Sequence, residues 1–123
     1  MEKSDTKILI VDDNVDMLNF FKKALEKEGY STILAEDGKK ALDILKTHNG
    51  VDLILSDVKM PNKSGLDVLK EVREKYPDVK IILITGYAQV EEYLQAMEQG
   101  AYEYLTKPIR VNDLIDCVNR ALA

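Results

Sequence analysis

Short apolar runs alternate with longer amphipathic stretches along this chain. Runs that are apolar at successive positions are typical of central strands covered on both faces of a sheet. Three such runs are clear and two are weaker, so the pattern predicts five strands. The clear runs are Ile8–Val11, Leu53–Leu55 and Val79–Ile84, and the weaker ones are Thr32–Ala35 and Ala101–Leu105.

Between these runs, apolar residues recur three or four positions apart, which is the spacing of one helix face. Five stretches of this kind predict five helices, one after each strand. Their apolar positions are Leu18, Phe21 and Leu25; Ala41, Leu42 and Leu45; Leu66, Leu69, Val72 and Tyr76; Val90, Leu94 and Met97; and Leu114, Ile115, Val118 and Leu122.

Residues that start and stop helices agree with these bounds. Gly29 and Gly100 follow the first and fourth stretches, where helix ends are expected, and Pro77 follows the third. Ser64 and Asn112 stand where N-cap residues are expected. Five β-α units therefore occupy the chain and predict an α/β fold, a parallel sheet with helices on both faces.

Composition narrows the class of protein. The 123 residues fit one domain, and 46% apolar with 32% charged residues is an ordinary globular balance. A net charge of −5 argues against a nucleic-acid-binding surface, which usually has a basic excess. Cys117 is the single cysteine, so no internal disulfide is expected. The chain shows no signal-peptide pattern and no apolar run near the roughly eighteen residues of a membrane span, so we expect a cytoplasmic protein with no membrane contact.

Charged and hydroxyl side chains follow four of the five predicted strands. Asp12 and Asp13 follow the first, Asp57 the third, Thr85 the fourth and Lys107 the fifth. In open α/β sheets, ligands bind beyond the carboxyl ends of the strands. We therefore expect these five side chains to share one edge of the sheet.

The chemistry of this set indicates phosphoryl transfer. Three converging carboxylates repel one another unless a cation joins them, and Mg²⁺, with Mn²⁺ as an alternative, prefers such oxygen ligands. A lysine ammonium suits a phosphate, and a threonine hydroxyl can donate to a phosphoryl oxygen. One of the carboxylates would then be the acceptor.

The sequence resembles the receiver domain of two-component response regulators. The resemblance implies a flavodoxin-like (βα)5 doubly wound parallel sheet with strand order 2-1-3-4-5, as a single domain over residues 1–123 with a core from about residue 6 to 122. The stretches "GAYEYLTKP" and "ITG" look closest to nitrogen-regulator-type receivers. The matching residues are Asp12-Asp13, Asp57, Thr85, Tyr104 and Lys107-Pro108.

The resemblance implies a role for each matching residue. Asp57 would accept a phosphoryl group from a phosphohistidine on a histidine kinase or phosphotransfer protein. Asp12, Asp13 and Asp57 would hold Mg²⁺ together with the backbone carbonyl of Lys59. Lys107 would pair with the phosphoryl oxygens.

The resemblance also implies how the signal leaves the site. Thr85 would move toward the phosphoryl group, and Tyr104 would turn into the vacated space. The fourth helix, fifth strand and fifth helix would then act on a downstream effector protein or domain, or form a phosphorylation-dependent dimer. Exposed candidates on that face are Glu91, Glu92, Gln95, Glu103 and Tyr104.

Three further residues are expected to shape the site. The Lys107–Pro108 bond is expected to be cis, which the resemblance favours. Lys59 and Tyr87 occupy positions that vary in receivers and set the rate of dephosphorylation. Because neither can orient an attacking water well and both are bulky, we expect them to shield the phosphoryl group.

Alternative interpretations remain for single residues and for the whole chain. Asp12 and Asp13 taken alone would suit the cap and first turn of a helix, and Asp57 a turn. A haloacid-dehalogenase-type phosphohydrolase would need Asp-x-Asp where this chain has Asp12-Asp13-Asn14. An interaction module that is never phosphorylated would have lost the acceptor, an acid or the lysine, and all are present. The sequence leaves open whether the receiver stands alone or belongs to a longer regulator or hybrid kinase.

Overall fold

The computed structural model of the chain describes residues 3–48 and 50–123, without the side chain of residue 4. Five strands and five helices alternate after a single 3₁₀ turn at Lys3–Asp5. The strands are β1 Lys7–Val11, β2 Ser31–Ala35, β3 Val51–Asp57, β4 Lys80–Thr85 and β5 Glu103–Thr106. The helices are α1 Val15–Lys27, α2 Gly38–Thr47, α3 Gly65–Lys75, α4 Val90–Glu98 and α5 Val111–Leu122.

All five strands are parallel and lie in the order β2-β1-β3-β4-β5, which confirms the predicted fold class and strand order. The register aligns their carboxyl ends. Val11 at the end of β1 pairs with Ser56, and Thr85 at the end of β4 pairs with Thr106. Residues that follow β1, β3, β4 and β5 therefore emerge at one edge.

The sheet separates two apolar cores, and this explains why its strands are apolar throughout. Ile8 and Ile10 of β1 face α1 and α5, whereas Leu9 and Val11 face the side covered by α2, α3 and α4. All four side chains are at most 1% exposed. Because β1 is covered on both faces, each of its residues from Ile8 to Val11 is apolar, and the first polar residue follows the end of the strand.

Two expectations about helices need correction. Ser64 caps α3 through a capping box with Asp67, as predicted, but Asn112 does not cap α5. That helix starts at Val111, because the Arg110 carbonyl accepts the first helical hydrogen bond from Leu114 N–H at 3.0 Å. Leu114 lies in the core, as its apolar spacing predicts.

The predicted inner face of α4 is wrong at two of its three residues. Val90 and Leu94 are 75% and 58% exposed, whereas Ala96 is fully buried and Met97 half-buried. Apolar spacing selects a stripe on a helix, but contact with the sheet decides which stripe is covered. Here Ala96 and Met97 lie against the core, and Val90 and Leu94 face outward.

Within residues 3–48 and 50–123, no helix is long and apolar enough to cross a membrane.

Candidate functional site

Asp12 is a fully buried carboxylate directly after β1. Its backbone N–H donates to the Ala35 carbonyl at 3.2 Å, which continues the pairing with β2. Its Oδ1 accepts the Asn14 N–H at 2.9 Å, and its Oδ2 lies 3.0 Å from Lys107 Nζ. Asn14, and neither aspartate, is the N-cap of α1. Capping of α1 therefore does not explain the buried position of Asp12.

The three predicted acids meet at the sheet edge. Carboxylate oxygens of Asp12, Asp13 and Asp57 all lie within 4.8 Å of one another, with Asp13 exposed and Asp57 half-buried. Such a cluster of hard oxygen donors fits Mg²⁺, which binds through carboxylates and keeps several waters. Asp13, on the solvent side, leaves the cluster open to an ion and its waters.

Lys107 joins the cluster from the opposite side. Its ammonium lies 3.0 Å from Asp12 Oδ2 and 3.3 Å from Asp57 Oδ2. Its backbone N–H donates to the Thr85 carbonyl at 2.7 Å, and the Lys107–Pro108 peptide bond is cis. Burial lowers the pKa of Lys107, but the hydrogen bond to Asp12 and the charges of Asp12 and Asp57 outweigh that effect and raise the pKa overall. The ammonium is therefore charged at neutral pH.

The surroundings of Asp57 disfavour its charged form. Its Oδ1 accepts the Val58 N–H at 2.8 Å. Burial is the main cause that raises its pKa, the Asp12 charge adds to this, and Lys107 opposes it. The charged carboxylate is thus disfavoured in the metal-free protein, and a bound cation would relieve that cost.

The loop between β3 and α3 carries Lys59 and is fixed at both ends. Gly65 N–H donates to the Val58 carbonyl at 2.7 Å. Ser64 Oγ accepts the Asp67 N–H at 3.2 Å, and the Asp67 carboxylate accepts the Ser64 N–H. Lys59 therefore follows Asp57 on a short stretch of anchored backbone.

Thr85 is a buried hydroxyl at the end of β4. Its Oγ1 accepts the Tyr87 N–H at 3.2 Å and donates to the Tyr87 carbonyl at 3.4 Å. The hydroxyl is therefore engaged with the loop after β4. It would have to leave those partners in order to reach a phosphoryl group.

Tyr104 on β5 is buried, which corrects the expectation that it is exposed. Its hydroxyl donates to the Glu92 carboxylate, and its ring meets Tyr93 edge-on with centroids 5.7 Å apart. Burial and the bond to Glu92 raise the pKa of Tyr104 to about 12. Glu92 and Glu103 are half-buried as well, whereas Glu91 and Gln95 are exposed as predicted.

Two features near this site were missed from the sequence. One is the bond from Tyr104 to Glu92, because nothing in the spacing of two residues twelve positions apart indicates which side chains meet. The other is the exposed apolar surface of Val90 and Leu94, whose helical spacing was interpreted as core. Lys59 and Tyr87, predicted separately, contact each other: Lys59 Nζ lies 4.9 Å from the Tyr87 ring centroid.

Comparison with known proteins gives one consistent result. The family model described as "Response regulator receiver domain" matches residues 8–119. The transcriptional regulatory protein CpxR of Escherichia coli K12 is 38% identical over 109 residues, which are 89% of this chain and 46% of that protein. The DNA-binding transcriptional regulator NtrC of Klebsiella pneumoniae is 33% identical over 114 residues, 93% of this chain and 24% of that protein. The chain thus spans less than half the length of each of these relatives. By sequence identity, CpxR is at least as similar to this chain as the nitrogen regulator NtrC.

Solved structures agree with this comparison. A response regulator receiver domain protein from Clostridium thermocellum superposes with a TM-score of 0.90 at 35% identity, covering 95% of this chain and 94% of that one. The response regulator protein TrrA of Thermotoga maritima, in complex with Mg²⁺-BeF, gives a TM-score of 0.85 at 36% identity and covers 94% and 98%.

Proposed function

The chain belongs to the response regulator receiver domain family, and on that premise we propose that it transfers a phosphoryl group to its own Asp57. The observation that supports this most directly is the position of Lys107. One ammonium lies within 3.3 Å of both Asp12 and Asp57, so a phosphoryl group on Asp57 would form beside a fixed positive charge. The acids alone would also suit a simple cation site; the lysine favours an anionic product.

The proposed reaction is an in-line displacement. A carboxylate oxygen of Asp57 attacks the phosphorus of a phosphohistidine, and the new P–O bond forms as the P–N bond breaks. The proton of the phosphorylated imidazole stays on the histidine, which leaves neutral. The product is an acyl phosphate on Asp57.

The residues around Asp57 would divide the work of positioning and charge compensation. Asp12, Asp13 and Asp57 would hold Mg²⁺ with the Lys59 carbonyl, and the ion would offset the negative charge of the phosphoryl oxygens. The Val58 N–H would keep Asp57 oriented through Oδ1, which leaves Oδ2 for attack. Lys107, held by Asp12, would turn from Asp57 Oδ2 to a phosphoryl oxygen.

Thr85 and Tyr104 would carry the change to the output face, which consists of α4, β5 and α5. A hydroxyl that donates to the phosphoryl group must give up its bonds to the Tyr87 backbone, and the loop into α4 would then shift. Tyr104 contacts α4 through Glu92 and Tyr93. A shift of α4 would therefore change how the Tyr104 side chain packs. A ligand that binds one of two arrangements better changes their populations in this way.

The partners follow from the same proposal. A histidine kinase or phosphotransfer protein would donate the phosphoryl group in the cytoplasm. A downstream effector protein or domain would read the output face, and CpxR and NtrC are themselves transcriptional regulators. We assign this chain no nucleic-acid contact of its own. A phosphorylation-dependent dimer through the output face is the alternative mode of output.

The test is phosphorylation with acetyl phosphate, followed by intact-mass measurement with and without Mg²⁺. Wild type should gain one phosphoryl group in the presence of Mg²⁺, and Asp57→Asn should gain none. Asp52→Asn, at the opposite end of the same strand, is the matched control and should label normally. Equal labelling of Asp57→Asn and wild type would refute the assignment.

A further inference from the structure

The N-terminus of α2 contacts the loop that carries Lys59. Asp37 is the N-cap of α2, and its Oδ1 accepts the Lys40 N–H at 2.8 Å. Its Oδ2 accepts a hydrogen bond from Asn62 Nδ2 at 3.3 Å. A single carboxylate therefore caps the helix and bonds the loop between β3 and α3.

Gly38, the first residue of α2, allows a close approach at the same place. It is buried, and a Cβ added there would lie 2.6 Å from the Lys63 carbonyl oxygen and 2.9 Å from Val68 Cγ2. Side chains can turn away from such a contact, but a backbone carbonyl cannot move without moving its loop. Helix and loop thus touch through backbone, and a larger residue at position 38 would push them apart.

The loop segment that α2 contacts is itself held in a fixed turn. Asn62 has a φ of 71°, a left-handed conformation that asparagine tolerates better than most residues. Lys63 N–H donates to the Pro61 carbonyl at 2.8 Å, and Lys63 Nζ pairs with Glu71 of α3 at 2.9 Å. A shift of α2 would therefore move this turn together with the loop residues on either side of it.

Lys59 lies between the two places where this loop is anchored. On one side, Val58 is bonded to Gly65; on the other, Asn62 and Lys63 are docked on α2. With both flanks fixed, the direction of the Lys59 carbonyl depends on the contact with α2. Mg²⁺ demands near-ideal octahedral geometry, so its binding is sensitive to where that carbonyl stands.

We propose that Asp37 and Gly38 are positioning residues for the metal site, although neither belongs to it. Docking of the α2 N-terminus sets the Lys59 carbonyl relative to Asp12, Asp13 and Asp57. The inference rests on the proposed metal-dependent function. It adds a helix remote from the output face to the parts that control metal affinity.

The experiment measures metal binding in the unphosphorylated protein. Mn²⁺ binding is followed by electron paramagnetic resonance, and Mg²⁺ affinity is obtained by competition. Gly38→Ala should weaken Mg²⁺ binding about tenfold, the lower end of what lost support around a metal ligand costs. Asn62→Gly keeps the left-handed turn but removes the donor, and Asp37→Ser keeps a capping oxygen but loses the second acceptor. Each should weaken binding about threefold, as the loss of one net hydrogen bond does.

Two comparisons separate positioning from a general loss of stability. Gly50→Ala is the matched control: its φ of 88° strains an alanine, but an added Cβ has no atom within 4 Å, so it should destabilise the fold and leave metal affinity unchanged. The double variant Asp37→Ser/Asn62→Gly should bind Mg²⁺ as well as either single variant, because both remove the same bond.

The proposal is overturned if Gly38→Ala, Asn62→Gly and Asp37→Ser bind Mg²⁺ as tightly as wild type. It is also overturned if Gly50→Ala weakens binding as much as Gly38→Ala at an equal loss of melting temperature. If Gly38→Ala does not fold, the Mg²⁺ affinities of Asn62→Gly and Asp37→Ser test the proposal instead. Failure of the underlying function looks different: wild type would then bind no Mg²⁺, or Asp13→Asn would leave binding intact.

Discussion

The Lys59 ammonium lies 4.9 Å from the centre of the Tyr87 ring, so the loops after β3 and β4 meet in a cation–π contact. Lys59 follows Asp57 by two residues, and Tyr87 follows Thr85 by two. Such a contact at an exposed site contributes about 0.5–1 kcal/mol. It joins two side chains that each follow a predicted site residue by two positions, and we expect the pair to cover Asp57 as neither would alone.

This cover should prolong the life of the phosphoryl group. If shielding raises the free-energy barrier for attack by an in-line water by about 1.4 kcal/mol, hydrolysis slows roughly tenfold. The variant Lys59→Asn/Tyr87→Glu should therefore lose its phosphoryl group about tenfold faster, as followed by phosphate release with Mg²⁺ in excess. Each single substitution should reach much of that rate, because either one breaks the contact. Lys70→Asn, an exposed lysine on α3, should match wild type; an unchanged or slower rate in the double variant would contradict shielding.

Removing the charge of Asp57 should stabilise the metal-free protein. Because the folded-state pKa of Asp57 is raised, its charged form costs stability at every pH above that pKa, and the cost disappears below the ordinary value of 3.8. Asp57→Asn should therefore melt a few degrees higher than wild type at pH 7, since 1 kcal/mol moves the midpoint by about 4 °C.

The gap between the two melting curves should shrink as the pH falls and vanish in acid. Thermal melts in a metal-free buffer series measure it directly. A difference in melting temperature that does not depend on pH would show that the charged Asp57 carboxylate does not destabilise the fold. An Asp57→Asn variant less stable than wild type at pH 7 would show the same.

Asp13 should matter for metal binding more than for the fold. It is exposed, so Asp13→Ala should raise the metal-free melting temperature only slightly by removing like-charge repulsion. The rise in melting temperature with Mg²⁺ depends on the ratio of free ion to dissociation constant and should be largely lost. Asp16→Ala changes an acid in the first turn of α1 outside the cluster and should keep the full Mg²⁺ response. An unchanged response in Asp13→Ala would remove Asp13 from the site.

Binding of beryllofluoride with Mg²⁺, a combination present in the TrrA structure, should perturb the β4–β5 edge of the sheet more than the β2 edge. Backbone amide shifts should be large for Thr85 and Tyr87 and extend through α4 to Glu92 and Tyr104. They should be small at the C-terminal end of α2. A shift map that spares α4 and β5 would disprove the proposed route of the signal.

The sequence predicted the sheet and the convergence of its charged residues well. Both depend on rules that act along the chain. Residues that must be buried on both faces are apolar without interruption, as from Ile8 to Val11, and the first polar residue after such a strand marks the carboxyl edge. The sequence alone therefore predicts that Asp12, Asp57 and Lys107 lie together.

The errors concern choices made between elements that are distant in sequence. Ala96, and not Val90 or Leu94, faces the core, because the fit of α4 on the sheet decides the matter. Tyr104 packs in the core with its hydroxyl bonded to Glu92, and helix spacing contains no information on that bond. The start of α5 was missed because the backbone at Arg110 begins the helix with no capping side chain.

The strand order places the acids and the proposed output face in different parts of the sheet, and Lys107, directly after β5, reaches the acids. The acids lie at the ends of β1 and β3, which are neighbours near the middle of the sheet, whereas β5 lies at one edge. Thr85 on β4 stands between them. If the proposed function holds, we expect substitutions on the exposed surface of α4 to alter partner recognition without disturbing phosphoryl transfer. We likewise expect substitutions around α2 to change metal affinity without altering recognition. Natural variation and engineered chimeras would then diversify the two properties separately, provided that Thr85 and Lys107 are kept.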